Sequence, residues 1–556
     1  MTRLAITASI CFLMTLSAFA ADKPNVVFIL SDNQSYYEMS CHGHAQIKTP
    51  RIDRFAKEAT EFTHFYAPPY CSPSRAVILT GRYAMRSGVF TTIAGRSIMH
   101  RSETTLPDIM KKHGYRTGIF GKWHLGFSYP HRPGDRGFEE VFVHGGGGVG
   151  QMEDYFGNTH YDTTFIHNGK VTPSKGFSTD TLFNRAMSWV EANRDKPFFC
   201  FVSTPVTHSP HFGPKELVAK LKAAGVQGDV GLFAQVQNLD TNIGRMLDHL
   251  DKLDLSKKTI VIYASDQGMN DRGAPHGGNR LGIPYDPAQH VPFFIRLPPA
   301  QNPGSADRPN VCDRLAGMID VLPTLLDLCG IEPPEYYDGM SLKNLLLGHN
   351  LEHPKDRTLI IQCPRGRTAT KWKNASVKTE RWRLVDGAKL YDIKADPRQK
   401  KNVATSHQQV VKELREKYEA YWADLPDQAT TLSRHLLGAK ECPDVVLNGM
   451  DWYTGSSPWN SGAFRRGGNG AWPVTIVRDG RYVFDCRIFP READKAMNAT
   501  HAKVKIGEVV KEQAINTSDT RARIELDLKA GKYDLQTWLT VGKKTRGSLF
   551  VYVTAQ

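Results

Sequence analysis

Along the first half of the chain, short unbroken apolar runs alternate with stretches whose apolar residues recur every three or four positions. "NVVFIL" (25–30), "TGIF" (117–120), "FFCFV" (198–202) and "TIVIYA" (259–264) have the pattern of strands buried on both faces. Between them, "RIDRFAKEA" after Pro50, "TLPDIMKKHG" and "TLFNRAMSWVEAN" carry helical spacing and helix-end signals. This alternation predicts an α/β fold, a mainly parallel sheet sandwiched by helices. Further on, "DRLAGMIDVLPTLLDLCG" reads as one helix closed by Gly330, and "QQVVKELREKYEAYWADL" as an amphipathic one.

Near residue 440 the pattern shortens to period two. "PVTIVRDGRYVFDCRIF", "ARIELDLKAGKYDLQTWLTV" and "SLFVYVTA" predict an all-β, sandwich-like domain over 441–556. Asp479-Gly480 and Ala530-Gly531 carry hairpin-type signals. Its aromatics Trp452, Tyr453, Trp459, Trp472 and Tyr482 suit sugar stacking, but in short strands such residues more often form the core. Residues 21–440 are then the α/β domain, with a subdomain of its own at about 360–440.

The opening residues, "MTRLAITASICFLMTLSAFAADKPN", have the layout of a signal peptide (1–20) cleaved after Ala20. No later run is long and apolar enough to span a bilayer. The expected location is therefore periplasmic or secreted. Of the 9 cysteines, Cys11 leaves with that peptide and the others show no framework spacing, so a disulfide scaffold is not expected. The net charge of +14 suggests an anionic partner, although spread-out lysines are by themselves better explained as a solvated basic surface. No nucleic-acid-binding motif is present, and a sulfated or carboxylated polysaccharide is an equally natural match.

The residues just beyond each buried strand are more specific, because open α/β sheets collect chemistry past the carboxyl ends of their strands. "NVVFIL" runs into Ser31-Asp32-Asn33, "TGIF" into Gly121-Lys122-Trp123-His124, "FFCFV" on to His208 and His211, and "TIVIYA" into Ser265-Asp266-Gln267. Asp32, Asn33, Asp266 and Gln267 offer only hard oxygen ligands, suited to Ca²⁺ or Mg²⁺ rather than zinc. Singly, each Asp is as well explained as a helix cap; the matched pairs favour a metal. If the strand continues past Lys122, alternation turns Lys122 and His124 to one face. "GGGG" at 145–148 reads as a flexible loop near the site. Cys71, at the mouth of a predicted helix, is open to several readings: packing residue, half-disulfide, ligand, nucleophile or precursor.

Cys71-Ser72-Pro73-Ser74-Arg75 with "LTGR" (79–82) resembles the Cys-x-Pro-x-Arg signature of type I, formylglycine-dependent sulfatases. "KPNVVFILSDN", "GYRTGIFGKWHLG", "YASDQG" and "LYDIKADPRQKKNVA" resemble further blocks of that family in the same order, over about residues 23–425. The resemblance implies the alkaline-phosphatase-like fold and sulfuric ester hydrolysis. It implies oxidation of Cys71 to formylglycine (3-oxoalanine) by a formylglycine-generating or equivalent maturation enzyme. A hydrated aldehyde offers one hydroxyl to attack sulfur and a second to expel sulfate. Asp32, Asn33, Asp266 and Gln267, with Cys71, match the Ca²⁺ ligands; Ca²⁺ is expected over Mg²⁺. Arg75 and Lys122 match the groups that hold nucleophile and sulfate, His124 the base and His208 the leaving-group acid.

There are two departures. Asn33 and Gln267 stand where relatives have Asp and Asn or His, which lowers the ligand charge. Leu281 and His290 fall where relatives place a sulfate-binding lysine and an arginine; Arg280, His211 and His290 are the substrate-binding candidates here. The expected function is therefore an exported sulfatase acting on a sulfated poly- or oligosaccharide. The alternatives are a phosphomonoester or phosphonate ester hydrolase on the same fold, and a non-catalytic sulfated-glycan-binding protein.

Overall fold

The computed structural model describes residues 23–269, 284–301, 310–349, 354 and 356–556. The signal-peptide segment and Arg280 lie outside the described residues. A ten-stranded sheet organises the first part: β1 (Asn25–Ser31), β2 (Thr60–Phe62), β3 (Arg116–Lys122), β4 (Glu140–His144), β5 (Thr164–His167), β6 (Lys170–Pro173), β7 (Phe198–Ser203), β8 (Thr259–Ser265), β9 (Phe293–Arg296) and β10 (Val311–Cys312). Their order is β10-β2-β9-β8-β1-β7-β3-β4-β5-β6. The four apolar runs are the parallel centre, β8-β1-β7-β3, in register from Asn25↔Thr259 to Ser31↔Ser265 across β8 and β1.

Both faces of the central strands are covered, which is why their sequences do not alternate. Val26, Phe28 and Leu30 of β1 join one core with helices α1 (Cys71–Thr80) and α2 (Leu106–Lys112). Val27 and Ile29 join the opposite core with α3 (Ser178–Ala192) and α4 (Val230–Lys252). The helix expected over "DRLAGMIDVLPTLLDLCG" is shorter: only Val321–Leu328 is α-helical. Ahead of it Ala316–Gly317 forms a strand, and the Asp320 carboxylate accepts from Gly317 N and Met340 N, holding that segment out of the helix. Gly330 does lie just beyond the helix, at φ 65°.

A four-stranded antiparallel sheet (Leu359–Gln362, Ala375–Lys378, Trp382–Val385, Lys389–Asp392) packs with the helix Gln408–Ala423. From His435 onward two sheets face each other around a single core. Neither turn with a hairpin signal closes a hairpin. Ala471–Ile476 pairs with Gly531–Val541, and Gly480–Arg487 pairs with Ala522–Leu528, so both turns cross between sheets. The Asp479 carboxylate accepts from Ala530 N and Lys529 Nζ, binding the two crossovers together. Turn sequence sets local chirality; the choice of partner strand is made by the core, which takes Trp452, Trp472 and Tyr482 fully inside. Trp459 is the exposed aromatic of that group.

All eight cysteines among the described residues are free. Among the described residues no helix is long and apolar enough to cross a membrane.

Candidate active site

The carboxyl ends of β1, β3, β7 and β8 lie side by side, and the loops that leave them supply the site. Asp32 and Asn33 follow β1; Asp266 and Gln267 follow β8; Lys122 closes β3. The loops are stitched to one another: Asp32 N donates to Val206 O, Thr207 N to Asp32 O, and Asn33 N to Asp266 Oδ1 at 3.0 Å. Asn33 and His124 both occupy the left-handed region, at φ 63° and 60°. Strand alternation therefore ends at Lys122, and the bend at His124 rather than a continuing strand aims that ring.

Cys71 is the first residue of α1, every residue of which is buried. Its Sγ lies 3.5 Å from Asp32 Oδ1 and 3.7 Å from Asn33 Oδ1, and Gln267 Nε2 donates to it at 3.4 Å. Asp32, Cys71 and Asp266 each offer a ligand atom within 4.8 Å of the others. Burial pushes the thiol's pKa up despite Lys122 nearby, so at neutral pH Cys71 is a protonated thiol and a poor nucleophile as it stands.

Each carboxylate has its own cation. Lys122 Nζ is 2.6 Å from Asp32 Oδ2, and Arg75 reaches Asp266 Oδ2 through Nε at 3.1 Å and Nη2 at 2.8 Å. Arg75 Nη1 also donates to Lys122 O and to Ser203 Oγ, a partner that no sequence motif marks. The two charge pairs cancel. Burial, then Asp32, raises the Asp266 pKa, and Arg75 opposes the rise.

The donor set fits a hard cation. Among the described residues Gln267 Oε1 is buried without a hydrogen-bond partner, and the Gln267 side-chain amide donates to Asn33 Oδ1. An ion drawing both amide oxygens inward would satisfy them.

His124 is buried, with neither ring nitrogen hydrogen-bonded among the described residues. Burial, then Lys122 and Arg75, lowers its pKa well below the ordinary value, leaving it neutral and able to accept a proton. His208 is pushed down to about 3 by burial and then by Lys122. Its Nδ1 lies 2.6 Å from Ser209 O; a carbonyl only accepts, so Nδ1 carries the proton and Nε2 is left to exchange one.

His211 stands beside this group but faces Asp229, with Nδ1 2.5 Å from Oδ2. It lines a cleft of about 860 Å³ with His160, Tyr161, Phe212, Lys215 and Lys222. Phe212 is 59% exposed there, and Lys215 Nζ lies 5.0 Å above the Tyr161 ring. His290 is placed differently. Its Nε2 meets Thr63 O at 2.7 Å, Nδ1 is 3.3 Å from Asp286 Oδ2, and the ring stacks on Tyr36. Both nitrogens are thus occupied within the fold.

The family described as Sulfatase matches residues 24–331, and one described as N-sulphoglucosamine sulphohydrolase, C-terminal, matches 280–424. The N-acetylgalactosamine-6-sulfatase of Rattus norvegicus is 31% identical, over 61% of this chain and 69% of that one. The N-acetylgalactosamine-6-O-sulfatase of Bacteroides thetaiotaomicron is 28% identical, over 72% and 93%. Among solved structures, Ps i-CgsB in complex with k-i-k-neocarrahexaose superposes with a TM-score of 0.65 at 23% identity, over 74% of this chain and 95% of that one. These matches show that the chain belongs to the sulfatase family, a sulfuric ester hydrolase on an alkaline-phosphatase-like fold with antiparallel β sheets at its C-terminal end.

Proposed function

We propose that this protein hydrolyses sulfate esters on a sulfated poly- or oligosaccharide outside the cytoplasm, with Cys71 matured to formylglycine and Ca²⁺ bound beside it. The observation that carries this reading is the convergence of the Cys71 side chain with Asp32 and Asp266 at the strand ends. Asp32, Asn33, Asp266 and Gln267 would hold the cation, which polarises the nucleophile and offsets sulfate charge. Formylglycine would supply an oxygen nucleophile where the thiol is ineffective.

The chain's own residues do the rest. With the two ion pairs already neutral, a divalent cation held there would give the site a net positive charge suited to an anionic ester. Lys122 and Arg75 hold the charge that gathers on oxygen, His124 accepts a proton at a ring nitrogen, and His208 delivers one from Nε2 to the departing sugar oxygen. Binding of the anionic sulfate raises the pKa of both rings, which brings His208 toward its acid form. The cleft beside His211 supports a glycan over a small aryl ester: it offers an exposed ring for a sugar face and lysines for acidic groups. Relatives named for amino-sugar 6-sulfates support the same class.

The test is turnover of an aryl sulfate and an aryl phosphate by one natively matured preparation, before and after chelation. Sulfate turnover lost to chelator and restored by Ca²⁺ is expected. Dominant phosphatase activity would instead assign the site to phosphate esters, and glycan binding without turnover would mark a binding protein.

A further inference from the structure

The glycine run 145–148 is not a free loop. It leaves β4 and lies against the two histidines just described. A Cβ at Gly147 would sit 2.6 Å from His124 Cε1, and one at Gly148 would sit 3.0 Å from His208 Nδ1. One at Gly145 would meet Glu153 O at 1.9 Å, so the segment is folded tightly on itself. Asp154 is the anchor. Its carboxylate, 6% exposed, accepts from Gly145 N (3.1 Å), Gly150 N (2.8 Å), Tyr155 N (2.9 Å) and Asn158 Nδ2 (3.0 Å).

The far side of the same loop is held by the C-terminal β region. Met152 is buried within that region's hydrophobic core. Its N donates to Trp459 O at 3.3 Å, and its O accepts from Asn448 Nδ2 at 3.2 Å. Phe156 meets the rings of Phe464 and Phe489 at 5.4 and 6.2 Å, under the Lys495 ammonium at 4.8 Å.

We infer that the C-terminal β region is a working part of the active site: it grips loop 145–158 through Met152 and Phe156, and Asp154, a positioning residue, holds Gly147 and Gly148 as the wall behind His124 and His208. This rests on the roles proposed above for those histidines. A wall of bare glycine backbone lies close against both rings and fixes their planes, and small misplacements of such groups are costly.

The experiment uses full-length, matured enzyme and the variants Asp154→Ala, Asp154→Asn and Phe464→Ala, read by hydrogen exchange of the 145–158 peptide and by aryl sulfate kinetics. Phe464→Ala and Asp154→Ala are expected to speed exchange of the loop. Both should lower kcat by about tenfold to a hundredfold with KM nearly unchanged. Asp154→Asn, which keeps one acceptor oxygen, should recover part of the loss. Unchanged loop exchange in Phe464→Ala would overturn the inference, as would faster exchange without a fall in kcat. Should Asp154→Ala fail to fold, Phe464→Ala decides alone. A wild-type enzyme without turnover but with the loop coupled to Phe464 would sink the functional reading and uphold the mechanical link.

Discussion

Lys122 Nζ and Asp32 Oδ2 stand 2.6 Å apart with neither side chain reaching solvent. A pair this deeply buried contributes little net stability, but removing one member strands the other's charge. Lys122→Ala should therefore destabilise chelated protein by about 3–5 kcal/mol in urea unfolding, while Lys122→Met with Asp32→Asn costs less. Lys122→Arg should not restore turnover, since a planar fork does not replace a point charge at this spot.

On the proposed mechanism His208 and His124 serve different halves of the reaction. If Nε2 protonates the leaving oxygen, His208→Ala should cost about 10²–10⁴-fold in kcat on a sugar sulfate. A 4-nitrophenyl sulfate, whose leaving group needs little help, should lose far less. His124→Ala should depress both substrates alike. Equal losses in His208→Ala would remove the acid role.

Asp451 gives a pH signature away from the chemistry. Burial raises its pKa to about 7, and burial together with Asp451 raises that of Glu153, which faces it from the glycine loop. His435 Nε2 is 3.9 Å away but is itself held neutral, its pKa pushed down to about 3 by burial and then by His131. A carboxyl raised on folding binds a proton that the unfolded chain has released, so its contribution to stability falls as pH rises from the ordinary carboxylate range to about 7. Asp451→Asn should remove that fall. The difference in melting temperature between variant and wild type should grow from pH 5 to pH 8; a constant difference would refute it.

The cleft beside His211 should act on polymers alone. Phe212→Ala with Lys215→Ala is expected to raise KM for a sulfated oligosaccharide by about tenfold, one stacking contact and one charge together. Aryl sulfate kinetics should not move.

Much of the fold and of the candidate site's geometry is legible in the chain alone. Continuous apolar runs mark doubly covered strands, and Asp32, Lys122 and Asp266 each come two positions after one. The hairpin signals mislead because Asp479-Gly480 and Ala530-Gly531 specify turns, while the partner strands are chosen by a core assembled from distant residues. Asp154 is invisible in sequence, since a carboxylate among loop residues has no signature until its four donors are seen around it. His290 stands out by its position in the family pattern, yet its two nitrogens are claimed by Thr63 and Asp286, which no spacing could reveal. Arg280 lies outside the described residues.

The burial of α1 sets a timetable. From Cys71 to Thr80 every side chain is shut inside the finished protein. If Cys71 is oxidised as proposed, the enzyme that does so would need this segment before the fold buries it, so that reaction would have to precede completion of the sheet. On that proposal, molecules that fold first would keep the thiol, and the active fraction of a preparation would record which event came first.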